Sequence, residues 1–162
     1  MRVIKIIDGT TVDGPGFRTS IYFAGCHHRC PGCHNPTSWD VSAGDEMSID
    51  DIIEHIEAND MDVTFSGGDP IYQLSELIKL SRRIKRNGRN IWCYTGFTFE
   101  ELSVLPAARS LLELVDVLVD GPFVEKLRDT ALLFRGSSNQ RLIELRQTLA
   151  SDGEVVLWHS DF

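Results

Sequence analysis

Along the chain, short apolar runs alternate with stretches in which apolar residues recur every third or fourth position. Residues 3–7 suit a buried strand, and residues 19–24, β-branched and aromatic, suit a second. Between them Gly9, Gly14, Pro15 and Gly16 mark a loop at 8–18. Ile49, Ile52, Ile53 and Ile56 trace one helical face behind a capping pair, Ser48 and Asp51. Residues 63–66 predict a strand that closes on Gly67-Gly68-Asp69-Pro70. Leu74, Leu77, Ile78 and Ile84 then share a helix face, which Gly88 is placed to stop. A strand at 90–94 ends at Thr95-Gly96. Thr98 and Glu101 form a capping box for a short helix, and 107–114 continues helically after Pro106. Residues 115–119 make an apolar strand broken only by Asp116, stopping at Asp120-Gly121-Pro122. Two late strands are expected around 141–145 and 155–158.

Strands separated by helices imply right-handed βαβ units and a mostly parallel sheet. In such sheets the chemistry collects at the carboxyl ends of the strands. A long loop at 25–46, the Gly67-Gly68-Asp69 turn, Thr95-Gly96 and Asp120 each follow a predicted strand, so all four are expected on one rim. A loop as long as 25–46 is uncommon unless it has a function. Five or six strands are too few for an eight-fold barrel of roughly 250 residues. The expectation is therefore α/β, with an incomplete barrel or an open curved sheet, in a single domain spanning 1–162.

Charge narrows the function. Sixteen Lys and Arg against twenty-four Asp and Glu leave a net charge of −8, which argues against non-specific nucleic-acid binding. No apolar run approaches the roughly 20 residues that span a bilayer, so no membrane role is expected. The first eight residues are too short and too soon charged for a signal peptide, which makes a cytoplasmic protein the default.

Three of the four cysteines, Cys26, Cys30 and Cys33, fall within eight residues, and Cys93 lies far downstream. With no export signal, this clustering points to metal or redox chemistry rather than disulfides. Three thiolates on a tight loop can hold three irons of a four-iron cluster and leave the fourth iron open to a small chelating ligand. The alternative on spacing alone is a structural zinc site, completed by Cys93, or by His27, His28 or His34.

The triplet, spaced by three residues and then two, resembles the signature of radical S-adenosylmethionine enzymes. The ordered set around it is similar to the activating proteins of anaerobic ribonucleotide reductase within that superfamily. That set comprises Asp13-Gly14-Pro15-Gly16-Phe17-Arg18, Cys26 to Asn35, Trp39, Ser66 to Pro70, Tyr94-Thr95-Gly96, Val117 to Gly121 and Arg135 to Gln140. The resemblance spans about residues 7 to 145.

It implies an incomplete, laterally open (β/α) barrel with a mostly parallel sheet. It implies a 4Fe-4S cluster on Cys26, Cys30 and Cys33, and S-adenosyl-L-methionine bound by Gly32, Cys33, His34, Gly67, Gly68, Asp69 and Asp120. The implied reaction is reductive cleavage of S-adenosylmethionine to methionine and a 5′-deoxyadenosyl radical, which takes a hydrogen from a glycine Cα of the reductase. No side chain need act as acid or base, since the cofactors carry the chemistry. The implied partners are the catalytic subunit of the anaerobic ribonucleotide reductase and an electron donor such as a flavodoxin or ferredoxin. Arg135 and Arg141 are docking candidates. Activation of another glycyl radical enzyme, such as pyruvate formate-lyase, is the nearer alternative; a non-catalytic zinc-binding module is the remote one.

Overall fold

A computed structural model describes residues 1–160. Strand β1 (Arg2–Thr10) runs antiparallel to β2 (Arg18–Phe23). The loop that follows contains a 3-10 turn, Pro36–Trp39, and a two-residue strand β3 (Asp45–Glu46) paired to the start of β1. Helix α1 (Ile49–Asn59) leads to β4 (Asp62–Gly67), and α2 (Leu74–Arg86) to β5 (Ile91–Tyr94). Helices α3 (Phe99–Ser103) and α4 (Pro106–Leu112) precede β6 (Val117–Asp120), and β7 (Arg141–Glu144) passes directly into α5 (Leu145–Ala150).

Local chemistry sets the helix starts. Ser48 and Asp51 make reciprocal side-chain to backbone bonds at the head of α1, and Thr98 and Glu101 do the same for α3. Each such cap supplies acceptors for N–H groups that the helix cannot satisfy, worth about 1 kcal/mol. Pro106 opens α4, where its missing N–H costs nothing.

The sheet order is β3-β1-β2-β4-β5-β6-β7, with β2, β4, β5 and β6 parallel and the flanking strands antiparallel. The sheet is mostly parallel and open, its two end strands being β3 and β7. Two expectations are corrected. The first strand is longer than 3–7, reaching Thr10, and the 11–17 loop turns the chain back so that β1 pairs antiparallel with β2. The segment 155–158 forms only an isolated bridge, Leu157 to Ile143, instead of a strand.

Alternate strand residues build two faces. Ile21, Phe23, Val63, Phe65, Ile91, Cys93 and Leu118 pack with α1, α2, α3 and α4 in the main core. Phe23 and Phe65 meet edge-to-face at 5.8 Å. Each fully buried side chain of this size contributes about 1.5–3 kcal/mol. On the other face Trp92, Val117, Val119 and Leu142 form a second cluster, covered by Phe134 and Trp158. Arg18 is buried on that face. Its Nε donates to Thr64 Oγ1 (2.7 Å), its Nη2 donates to the Val63 carbonyl (2.8 Å), and the guanidinium lies over Trp92. Only part of this face is filled, which leaves a cavity at the carboxyl ends of the parallel strands.

Candidate functional site

The cavity is about 440 Å³ and is lined by three of the segments expected on one rim, the cysteine loop, Gly67-Gly68 and Thr95-Gly96; Gly121 lines it where Asp120 was expected, and neither Asp69 nor Asp120 does. Cys26, Cys30 and Cys33 line it and are half-buried. Their loop is anchored at its start, where Gly25 N–H donates to the Ser38 carbonyl (2.8 Å) and Cys26 N–H to the Trp39 carbonyl (3.3 Å). Burial pushes the Cys26 thiol up, against the opposing pull of the His28 and Arg29 N–H groups. Asn35 N–H donates to the Cys33 sulfur at 3.4 Å. Backbone N–H groups aimed at sulfur favour the thiolate, the form that binds metal. Cys93 is apart. It is fully buried in the core on the helix-covered face, and burial pushes its thiol well above the ordinary value.

The turn after β4 is shaped by close backbone approach. Gly67 has φ +107°, and a Cβ there would stand 2.3 Å from Phe23 N. A Cβ on Gly68 would lie 2.5 Å from the Gly25 carbonyl oxygen and 2.8 Å from that of Ser38. The glycines are thus required first by the chain's own packing, as the cysteine loop lies directly against the turn. Both also line the cavity.

Asp69 is 1% exposed, and its carboxylate accepts from His28 Nε2, Thr95 Oγ1 and Gly96 N (each 2.9 Å) and from Ile71 N (3.0 Å). Asp120 is equally buried. It accepts from Phe99 N (2.8 Å) and from Arg141 Nε (3.1 Å), and Arg141 also grips Glu100 (2.7 Å). The bonds from Arg141 pull the Glu100 carboxyl down, and the bonds to Asp120 first and Glu100 second push the Arg141 guanidinium up. Arg141, a docking candidate from sequence, is therefore engaged within the chain.

His34 lines the cavity with its ring against Phe123, centroids 5.0 Å apart. Gly32 turns the loop at φ +70°, backed by Glu125, and does not line the cavity. Arg135 does; its Nη1 donates to the Gln140 carbonyl (3.2 Å), while its Nε is buried without a partner among the described residues.

The sequence reading missed Asp13, Tyr22, Ser66 and Tyr94 as cavity residues. Tyr22 Oη donates to Asp13 Oδ2 at 2.5 Å, and Tyr94 Oη to the Phe134 carbonyl at 2.8 Å. Burial pushes both phenols up, so they stay protonated. Their signal was available: each is a polar-tipped residue at the end of a strand, one step out of phase with the core positions.

Three thiols on one cavity wall, with N–H groups directed at sulfur, are a donor set suited to an iron–sulfur cluster. Among the described residues, no three His, Cys, Asp or Glu side chains are gathered to hold a single metal ion. No helix among them is long and apolar enough to cross a membrane.

Comparison with known proteins adds two findings. A family profile described as "4Fe-4S single cluster domain" matches residues 12–143. The chain is also 38% identical, over 145 residues, to the anaerobic ribonucleoside-triphosphate reductase-activating protein of Escherichia coli (strain K12), covering 83% of this chain and 93% of that one. The protein of the same description from Haemophilus influenzae is 35% identical over 152 residues (86% and 96%), and that from Enterobacteria phage T4 35% over 139 residues (81% and 86%).

Proposed function

The chain belongs to the family of anaerobic ribonucleoside-triphosphate reductase-activating proteins, and from that membership we propose that it is a radical S-adenosylmethionine enzyme that installs a glycyl radical on the anaerobic ribonucleotide reductase. The observation that carries this reading is the shared wall: Cys26, Cys30 and Cys33 line the same cavity as Gly67 and Gly68, and Cys93 is buried away from it. The three loop cysteines would hold a 4Fe-4S cluster and leave one iron for the cofactor. When bound, the cluster and S-adenosylmethionine would supply the electron transfer and the hydrogen-abstracting radical.

The chain's own residues would bind, orient and shield. The half-buried backbone of Gly67 and Gly68 lines the cavity and would meet the cofactor's amino-acid end. Cys33 and His34 continue the wall, with His34 held by Phe123, and Gly32 would act by turning the loop that carries them. Asp69 and Asp120, both buried and fully bonded, would act by fixing His28, Thr95 and Arg141 rather than by touching the cofactor. Tyr22 and Tyr94 line the cavity with their hydroxyls protonated and bonded, and so bring no labile charge to it. A cavity of about 440 Å³ falls within the roughly 300–1,000 Å³ typical of small-molecule sites. The open sheet leaves a lateral approach for a loop of the reductase, in keeping with an incomplete (β/α) barrel within a single domain spanning 1–162. A cytoplasmic location and a flavodoxin or ferredoxin as electron donor complete the proposal.

The relatives' descriptions favour the reductase over pyruvate formate-lyase as partner. The test is anaerobic reconstitution, followed by electron paramagnetic resonance of the reductase after mixing with reduced protein and S-adenosylmethionine. A glycyl doublet on the reductase is expected. A colourless, zinc-loaded protein without acid-labile sulfide would overturn the reading.

A further inference from the structure

Three separate loops are joined at one buried carboxylate. Asp69 Oδ2 accepts from His28 in the cysteine loop and from Thr95 and Gly96 after β5, each at 2.9 Å. A carboxylate held this way offers only acceptors, so His28 Nε2 carries the hydrogen. The His28 ring is fixed from several sides. Phe97 meets it edge-on with centroids 4.6 Å apart, and Tyr72 lies at 5.9 Å. A Cβ on Gly96 would stand 2.5 Å from its Cδ2, so the glycine makes room for the ring.

His28 lies midway between Cys26 and Cys30. The backbone bond from Asp69 N to the Gly25 carbonyl (2.8 Å) fastens only the start of the loop. The bond through His28 is the next attachment along it toward the same turn. We propose that His28 is a positioning residue whose bond to Asp69 sets the spacing between the cysteine loop and the Gly67-Gly68-Asp69 turn. What that spacing serves, a cluster facing its cofactor, rests on the proposed function; the tether itself rests on the geometry. Loss of one charge-assisted bond of this kind shifts a local opening equilibrium by about tenfold or more.

The test compares His28→Gln, whose amide N–H can take the place of Nε2–H, with His28→Asn, which keeps a donor but is too short to reach. Amide hydrogen exchange is followed on the full chain, both iron-free and with the cluster reconstituted. In His28→Asn, exchange in residues 26–34 and 95–97 rises together by about tenfold, while His28→Gln stays close to the unmodified protein. With the cluster in place, His28→Asn needs about tenfold more S-adenosylmethionine to produce the cofactor-induced change in the reduced cluster's paramagnetic spectrum, and His28→Gln does not. Unchanged exchange in His28→Asn would overturn the tether, as would equal loosening in both variants. If the unmodified protein takes up no cluster, the proposed function fails, and the exchange in iron-free protein still decides the tether.

Discussion

Gly68 lies so close to Gly25 that a side chain on it would stand 2.5 Å from the Gly25 carbonyl oxygen, with the Ser38 carbonyl 2.8 Å away on the same side. Both obstacles are backbone, so neither yields by rotating a side chain. Gly68→Ala is expected to push the cysteine loop off the turn. Overpacking of this kind costs about 1–3 kcal/mol. Iron bound per chain should fall together with the denaturation midpoint. A variant with full iron and full stability would show that the loop adapts freely.

The cysteines should divide three against one. Alanine at Cys26, Cys30 or Cys33 removes a cavity thiol and is expected to abolish stable cluster assembly. Cys93→Ala should retain iron and sulfide, because its thiol points into the helix-covered core. Its cost is a small void, about 1 kcal/mol of stability. Iron and acid-labile sulfide after anaerobic reconstitution, with urea denaturation of each variant, check both halves.

Arg135 and Arg141 should separate by phenotype. Asp120 and Arg141 sit opposite each other across the β6–β7 ladder, and Asp120 is 1% exposed. Arg141→Ala leaves that carboxylate buried without its cation, a loss of about 3 kcal/mol measured by denaturation. Among the described residues Arg135 has no such carboxylate, and it lines the cavity. Arg135→Ala should leave S-adenosylmethionine cleavage near normal and lower the glycyl radical yield on the reductase. Full yield would remove it from the docking surface.

Acid should weaken the link between α3 and β7. The hydrogen bonds from Arg141 hold the Glu100 carboxyl below its ordinary value near 4.5. A depressed carboxylate adds stability that is fully present above the unfolded value and is lost as pH falls through the folded one. The loss is therefore expected below about pH 4.5, and Glu100→Gln should flatten the stability profile there. Parallel profiles for the two proteins over that range would show that the pair contributes nothing to folding.

The sequence alone determined the parts whose signals are local. Helix faces follow from spacing of three and four, and both capping boxes follow from a hydroxyl and an acid three residues apart. The cysteine loop, the Gly67-Gly68 turn and Thr95-Gly96 do meet on the expected rim, with Gly121 next to buried Asp120, because a parallel sheet delivers every strand's carboxyl end to the same edge. The cysteine triplet was legible for the same reason, since its spacing lies within one loop. What only the tertiary structure decided were pairings between distant segments. An apolar run does not say which neighbour it joins, so β1 could turn back on β2 and β7 could close antiparallel to β6. Cys93 faces the helices rather than the cavity because strand phase, not composition, assigns its side. Asp69 reads as a group for a cation until His28, Thr95 and Gly96 are seen to fill it. Those donors lie 41, 26 and 27 residues away. A bond over that separation leaves no period in the chain, and it exists only once the sheet has brought the loops together.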